Sequence, residues 1–355
     1  MDVLSPVDRR ELVSLVEPAS LVDAFVQHPP LGFQAEFTPD GMPTFVAPFD
    51  LLTTADDPVR RAVQNLPLHA HWGRLLTWRT RFVGCTVTEY APLASGVPPE
   101  RLVSGLLSRY GQECPLLIVK DLAVDSPLLD VQANACVRAF TDALQAAGFV
   151  LLDGMSLAWV PLDVAAVEEH VARLSANARS NVRRKLKSRS QLRIDVVPAG
   201  SAWFDDDAVV AGLYRLYVNV YEQSAVHFDL LQEAFFRKVL RDPGNGGVLF
   251  VYRHDGEVIG WKLCFEHGGM LLDKYVGFSY PQSRDHNLYV VSWFHCIEYA
   301  LSRGLTHMVD GWTDARIKRY LGARITRTRH AVHARNRLVH AVLRRMAGHF
   351  ENEPG

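Results

Sequence analysis

The residues best suited to chemistry lie in the last part of the chain, where Asp310 precedes Lys318 by eight positions. Asp310 follows the apolar segment 306–309, which is predicted to be a strand, and a carboxylate there could accept a proton or orient a proton donor. The ammonium group of Lys318 could stabilise negative charge that develops on an oxygen atom during a reaction. The alternatives are that Lys318 is a surface lysine and that Thr313 and Asp314 only cap the next helix.

Polar and aromatic residues around Asp310 are candidates for a substrate cleft. Asp273 and Lys274 are adjacent in an otherwise apolar strand, and buried charges are usually paired or functional. Because side chains alternate between the two faces of a strand, we expect about half of these residues to face a core and half a cleft. The candidate substrate-binding residues are Trp261, Lys262, Asp273, Lys274, Tyr275, Tyr289, Trp312 and Thr313.

The charge distribution favours an anionic partner. The 355 residues carry a net charge of −1, but residues 1–172 hold 11 Lys and Arg against 21 Asp and Glu, so the remainder is basic. Two basic segments without an acid lie there, at 178–193 and 316–345. Solvated helix faces would explain them, and so would binding of nucleic acid, a phosphorylated cofactor or an acidic carrier protein. The candidates for binding such an anion in these segments, called the donor-binding candidates below, are Arg183, Arg184, Lys187, Arg316 and Arg319.

Composition excludes several classes of protein. Hydrophobic residues make up 48% of the chain and charged residues 22%, which is typical of a folded protein and not of a disordered one. No apolar run approaches the ~18 residues of a membrane span, and no signal peptide is visible. The five cysteines form no CxxC pair, which argues against a disulfide framework or a thiolate zinc site and favours the cytoplasm.

Other possible sites are weaker. The pairs His69 and His71, and His330 and His333, have no carboxylate or cysteine to complete a metal site, so no metal is expected. Cys264 and Cys296 lack a His-Asp pattern and are expected to be buried structural thiols.

The predicted elements alternate between strand and helix, which indicates an α/β fold. They include a strand near Phe82–Tyr90, one helix over Val164–Leu186 that becomes basic toward its end, and a hairpin turn at Asp255-Gly256. Asp153-Gly154 and Asp310-Gly311 each follow a helix, a glycine and an apolar strand, 157 residues apart. Together with the length, this favours two copies of one α/β unit.

The second half resembles the GNAT acyltransferases, and within them the Fem peptidyltransferases and the related FemAB-like and BioF2-like domains. The resemblance is carried by the stretch Asn287–Ala323, by its end Ile317-Lys318-Arg319-Tyr320-Leu321-Gly322, and by the basic helix around Ala178–Lys185. It implies two tandem GNAT-like units, each a mixed, mostly antiparallel sheet flanked by helices. We expect units 1–165 and 166–355, with the active cleft in the second unit.

The resemblance also implies roles for individual residues. Lys318 would face the acyl end of the donor, so we expect it to be exposed in the cleft and to contribute little to folding stability. The GNAT loop that binds coenzyme A carries glycines, whereas Gln282–Asn287 has none and includes Asp285. This departure puts ordinary coenzyme A binding in doubt, although Arg284 or the backbone N–H groups near Asn287 could still bind a phosphate.

The function expected from sequence is therefore an amide-forming N-acyltransferase of the cytoplasm with no tightly bound cofactor. The first choice of donor is aminoacyl-tRNA, and the acceptor would be a small-molecule or peptide amine. One alternative is a coenzyme A or phosphopantetheine thioester, the latter on an acyl carrier protein. A second alternative is a non-catalytic protein that binds polyanions on a decayed GNAT fold.

Overall fold

The computed structural model describes residues 11–51, 76–224, 227–312 and 314–350. The chain divides into two compact units, of which the first comprises residues 1–15, 29–154 and 328–355 and the second residues 16–28 and 155–327. The boundary expected between residues 165 and 166 stays a prediction of domain organisation.

The first unit contains a mostly antiparallel sheet with one parallel pair. Its strands are β1 Leu12–Val13, β2 Gln34–Phe37, β3 Pro43–Asp50, β4 Thr77–Val83, β5 Leu93–Ala94, β6 Leu116–Val124 and β7 Val150–Asp153. Strands β2, β3 and β4 are antiparallel, β4 runs parallel to β6, and β7 is antiparallel to residues 329–332 of the last strand of the chain. Its helices are α2 Pro99–Tyr110, α3 Val131–Ala146 and α11 Arg337–Phe350.

The second unit has the same kind of sheet, in the order β14-β8-β13-β12-β11-β10-β9, with β12 and β13 as its parallel pair. Its strands are β8 Leu157–Pro161, β9 Arg193–Pro198, β10 Gly247–His254, β11 Glu257–His267, β12 Met270–Phe278, β13 His307–Val309 and the first residues of β14 Arg324–Ala334. Its helices are α1 Ala19–Gln27, α4 Val167–Arg173, α5 Ala176–Leu186, α6 Asp207–Gln223, α7 Glu233–Leu240, α8 Gln282–Asp285, α9 Leu288–Ser302 and α10 Ala315–Tyr320. The predicted fold class is confirmed.

Helix α9 lies at the centre of the second core. Ten of its 15 residues are buried, which fits its almost continuous apolar sequence. Trp293, Phe294 and Ile297 belong to a core cluster that also includes Phe250 of β10 and Leu271 of β12. A helix that is apolar on most sides is stable only when it is covered on most sides. Charged side chains on the face of the sheet that α9 covers are therefore buried and need partners.

Two predicted elements differ from the structure. The strand near Phe82–Tyr90 ends at Val83, because Gly84 has a φ of +116° that breaks the extended backbone. The single helix over Val164–Leu186 is two helices: Leu174 is extended, and the hydroxyl of Ser175 accepts a hydrogen bond from the N–H of Ala178 to begin α5. The hairpin turn at Asp255-Gly256 is present between β10 and β11, and both residues have positive φ.

The proposed internal repeat is also aligned differently. Asp310 follows β13, which is parallel to β12, whereas Asp153 ends β7, which is antiparallel to β14. The strand of the first unit that matches β13 in topology is β6, since each is the later strand of its unit's parallel pair. The Asp-Gly correspondence was therefore wrong, although each unit has one parallel strand pair.

Candidate active site

The candidate site lies where the parallel strands β12 and β13 separate. Their pairing runs from Met270 opposite His307 to Leu272 opposite Val309. The next residues along the two strands are Asp273 and Asp310, so two carboxylates follow the last paired residues side by side. The backbone N–H of Asp310 donates to the carbonyl of Ala158 in β8 at 2.9 Å, which holds the end of β13 in place.

Two lysines neutralise these carboxylates and complete what we call the charge cluster: Lys262, Asp273, Asp310 and Lys318. Lys262, on β11, forms an ion pair with Asp273, and its Nζ lies 3.9 Å from Oδ1 of Asp310. Lys318, on α10, places its Nζ 3.0 Å from Oδ2 of Asp310 and also donates to the backbone carbonyl of Asp310. The four side chains are only 5–6% exposed.

Burial and the neighbouring charges poise Asp310 for proton transfer. The pKa of Asp310 is raised to about 7: burial is the largest cause, Asp273 adds to the rise, and the ammonium groups of Lys318 and Lys262 oppose it. Burial alone would lower the pKa of Lys262, but the neighbouring acidic groups, with Asp273 first and then Cys296 and Asp310, together outweigh that effect and raise it. Near neutral pH Asp310 therefore exchanges a proton readily while Lys262 remains a cation.

Tyr289, on α9, adds a hydroxyl to this site. Burial, followed by the charge of Asp310, raises the pKa of Tyr289, so the phenol keeps its proton. Its Oη is buried and makes no hydrogen bond within the described part of the chain. This O–H group therefore has a hydrogen bond left to donate. Trp312 is half-buried beside Asp310 in sequence, and Thr313 lies outside the described residues.

The structure corrects the expected position of Lys318. Its residue is 4% exposed and belongs to the charge cluster instead of an open cleft surface. Helix α10 is held by its C-terminal end, where Gly322 has a φ of +99° and a Cβ would lie 2.6 Å from Nε2 of His170. The same His170 nitrogen lies 2.9 Å from the carbonyl of Leu321. The alternative of a side-chain cap by Asp314 is absent: Asp314 makes no capping hydrogen bond.

Three predicted substrate-binding residues lie on the opposite face of the sheet. Trp261 is buried, and its Nε1 donates to the carbonyl of Leu213 in α6 at 2.9 Å. Tyr275 packs edge-on against Phe236 of α7 at 5.4 Å. Lys274 pairs with the buried Glu17, with 3.0 Å between Nζ and Oε1. These residues pack helices onto the sheet, so their assignment to the cleft was wrong, whereas Lys262 and Asp273 do face Asp310.

The donor-binding candidates lie in three places. Arg183, Arg184 and Lys187 are exposed and line a groove of about 340 Å³ along α5. Arg316 and Arg319 are exposed on α10. Arg284 stacks over the ring of Tyr280 at 4.8 Å and binds Gln223, while Nδ2 of Asn287 donates to Oγ of Ser188 at 3.0 Å.

A pair of hydrogen bonds connects the groove with α10, which sequence reasoning missed. Arg184 donates to Oδ1 of Asn181 at 2.8 Å, and Nδ2 of Asn181 donates to the hydroxyl of Tyr320 at 3.3 Å. Tyr320 belongs to the helix that carries Lys318. The only signal in the sequence was that Asn181 and Tyr320 each lie in one of the motifs that carried the GNAT resemblance.

The first unit has a smaller polar group at the corresponding strand separation. The pairing of β4 with β6 ends at Val83 opposite Val119, and the next residue of β6 is Lys120. Lys120 is buried, pairs with Asp121 and donates to the carbonyl of Cys85 at 2.9 Å. A Lys-Asp pair within an apolar strand was the signal for it, the same one that drew attention to Asp273 and Lys274.

Among the described residues there is no membrane helix, and there is one group of possible metal ligands, formed by two cysteines and Asp273. No helix in that part of the chain is both long and apolar enough to cross a bilayer. The sulfur atoms of Cys264 and Cys296 are 3.8 Å apart, and both thiols are buried, as expected. They lie near a carboxylate oxygen of Asp273, but Lys262 already neutralises that carboxylate.

Comparison with known proteins identifies the class of fold. Residues 176–319 match the family model described as an acetyltransferase (GNAT) domain, and no curated protein sequence matches the chain. The C-terminal domain of a protein named as a lysylphosphatidylglycerol synthetase from Agrobacterium fabrum is similar, with a TM-score of 0.55 and 10% identity, over 93% of this chain and 96% of that one. L-PGS from Bacillus licheniformis is similar, with a TM-score of 0.53 and 10% identity, over 96% of this chain and 99% of that one. FemX is also similar, with a TM-score of 0.49 and 12% identity, over 92% of this chain and 98% of that one.

Proposed function

Because residues 176–319 match the family model of an acetyltransferase (GNAT) domain, in line with the sequence resemblance, we propose that the chain is an N-acyltransferase that forms an amide. It would move an acyl or aminoacyl group from an activated carrier to an amine. The single observation that carries this proposal is the buried Asp310, with its raised pKa, paired with Lys318 where two parallel strands separate.

The charge cluster supports direct transfer without a covalent enzyme intermediate. A neutral amine attacks the carbonyl carbon of an ester or thioester, the C–N bond forms, and Asp310 accepts the proton that the amine loses. Lys318 has three N–H donors, of which two are directed to Asp310, so one remains for the developing oxyanion. The C–O or C–S bond then breaks, and the leaving group takes up the proton that Asp310 accepted.

The surface of α5 favours aminoacyl-tRNA as the donor. Arg183, Arg184 and Lys187 are exposed along one groove, and such a row of cations suits a phosphate backbone. The loop Gln282–Asn287 has no glycine, so it lacks the close backbone approach that a pyrophosphate group requires. The two features together favour a donor held by its backbone over free coenzyme A.

A thioester on an acyl carrier protein is the second candidate donor. The groove of α5 supports it too, because carrier proteins are acidic and the exposed arginines would complement them. The reaction at Asp310 would be the same, with a C–S bond broken in place of a C–O bond. A non-catalytic role in polyanion binding would need the basic groove alone, and it would leave the buried charge cluster without a purpose.

The molecule that co-purifies with the chain tests the choice of donor. We expect mass spectrometry of the purified protein to detect charged tRNA, and we expect this signal to disappear after RNase treatment. A pantetheine thioester that survives RNase would replace tRNA by the second donor. Polyanions of mixed identity that carry no acyl group in any sample would favour the non-catalytic alternative.

A further inference from the structure

The two carboxylates of the charge cluster are too close to act independently. Asp273 and Asp310 are the first residues beyond the last paired positions of β12 and β13. Both are buried, and a hydrogen bond with Asp273 contributes to holding a proton on Asp310. Two neighbouring carboxylates in a site of low dielectric favour a shared proton, so the neighbours decide which of them carries it.

Lys262 is placed to make that decision. The charged and titratable groups that face Asp310 come from four elements: Lys262 of β11, Asp273 of β12, Tyr289 of α9 and Lys318 of α10. Lys318 contacts Asp310, whereas Lys262 forms its ion pair with Asp273 and remains 3.9 Å from Asp310. Each carboxylate thus has its own lysine, and Lys262 is the one within reach of both.

We propose that Lys262 and Asp273 are positioning residues for the transfer reaction: Lys262 binds Asp273 as its counterion and so leaves Asp310 as the carboxyl group that takes the proton of the attacking amine. This inference rests on the proposed function, in which Asp310 accepts that proton. Neither residue needs to touch the substrate. Their role is to set the pH at which Asp310 becomes a base.

The two substitutions should act in opposite directions. Asp273→Asn removes a negative neighbour and releases Lys262 to Asp310, so the pKa of Asp310 should fall. Lys262→Met removes a positive neighbour and leaves Asp273 unpaired, so the pKa of Asp310 should rise. A charge within 4–6 Å commonly shifts a carboxyl pKa by about one unit or more. Poorer packing alone would lower activity in both variants without moving the pH dependence in opposite directions.

The pH profile of kcat/KM measures this effect. We expect the acidic limb to move by about one unit to lower pH in Asp273→Asn and by about one unit to higher pH in Lys262→Met. Lys262→Arg, which keeps the charge, should retain the wild-type limb. Lys274→Met is the matched control, since it breaks an equally buried ion pair on the same strand but the opposite face. A limb that moves in the same direction in Asp273→Asn and Lys262→Met would overturn the inference. If the limb moves in neither variant, a titration of Asp310 itself decides whether the inference or the proposed mechanism is refuted.

A titration without substrate separates this inference from the proposed function. The carboxyl carbon of Asp310 can be followed by NMR in protein labelled at aspartate and assigned with Asp310→Asn. We expect its midpoint to fall in Asp273→Asn and to rise in Lys262→Met. Unchanged midpoints would refute the role of the two residues. Shifted midpoints with an unshifted kinetic limb would instead refute Asp310 as the proton acceptor, and with it the proposed mechanism.

Discussion

Asp310 is the residue on which the proposed chemistry depends, because its pKa is set by two neighbouring lysines, Lys262 and Lys318, and by a second carboxylate, Asp273. Its ordinary pKa would leave it fully ionised and a weak base at neutral pH. Burial raises this pKa to about 7, which matches the optimum for a general base that works near neutrality. The protein therefore needs no histidine in this cluster to move the proton of an amine.

The raised pKa has a consequence for stability that can be measured. A group whose pKa is higher in the folded state contributes stability below its unfolded pKa, near 3.8, and loses it as the pH rises through about 7. Wild-type protein should therefore lose this contribution between pH 4.5 and 7.5, while Asp310→Asn should not. The free energy of unfolding in urea, compared between the two proteins, should change by on the order of 2–4 kcal/mol in favour of Asp310→Asn. A difference that is independent of pH would show that Asp310 has an ordinary pKa.

Replacement of Lys318 by Met should affect both turnover and folding. It removes one oxyanion donor, so kcat should fall by about 10²–10³. It also breaks a buried ion pair, which should cost about 2–3 kcal/mol, at the lower end for such pairs because Asp310 can take up a proton. Lys318→Arg should restore turnover only in part, since a planar guanidinium does not replace a point charge.

Lys120→Met provides the matched control for that experiment. Lys120 is another buried lysine with a carboxylate partner, but it lies in the first unit. We expect a comparable loss of stability with turnover near that of wild type. A large loss of kcat in Lys120→Met, or near-normal kcat in Lys318→Met, would move the chemistry away from the charge cluster.

The sequence predicted which residues belong to the site better than it predicted what surrounds each of them. The spacing of Asp310 and Lys318 marked both residues, but their ion pair depends on the turn between β13 and α10. Alternation along β11 and β12 could not tell which face was the cleft. The pairing of these strands shifts register between Leu263 and Cys264, and the residues at such an irregularity are not visible in a single sequence.

Helix α5 is the element that the proposed function assigns to the donor. Its cations lie on one face because Arg179, Arg183 and Lys187 are four positions apart, while Ala178 and Val182 are buried on the other. The sequence predicted this helix and its charge, but it did not predict the break at Leu174 that separates α5 from α4. That break depends on the cap by Ser175 and on tertiary packing, which compete with helix propensity.

Removal of the cations of α5 should weaken donor binding more than catalysis. In the triple variant Arg183→Ala, Arg184→Ala and Lys187→Ala, the donor KM should rise while kcat changes little. The slope of log KM against log salt should flatten by about 0.7–0.9 for each phosphate that the variant no longer neutralises. The control is a variant with three other exposed cations replaced by Ala, at Arg101, Arg215 and Lys238. A salt slope that is the same in both triple variants would assign α5 to the solvated surface.

The whole molecule consists of two units, each with a mostly antiparallel sheet and one parallel strand pair. The duplication could be predicted from length and from the alternation of helices and strands. The Asp-Gly alignment could not be trusted, because helix, glycine and strand recur in many α/β proteins and only strand pairing distinguishes β7 from β13. Both units carry a buried Lys-Asp pair where their parallel strands separate, and in the second unit the neighbouring strand adds the buried carboxylate of Asp310.

Amide formation from a defined donor tests the account most directly. The full chain would be incubated with a mixed amine pool and, separately, with aminoacyl-tRNA, acyl-coenzyme A or acylated carrier protein, and the amide product would be measured by mass spectrometry. The account predicts product with aminoacyl-tRNA, none after RNase treatment, and a rate at least about 10²-fold lower in Lys318→Met. The absence of an amide product with all three donors, or an equal rate in Lys318→Met, would contradict it.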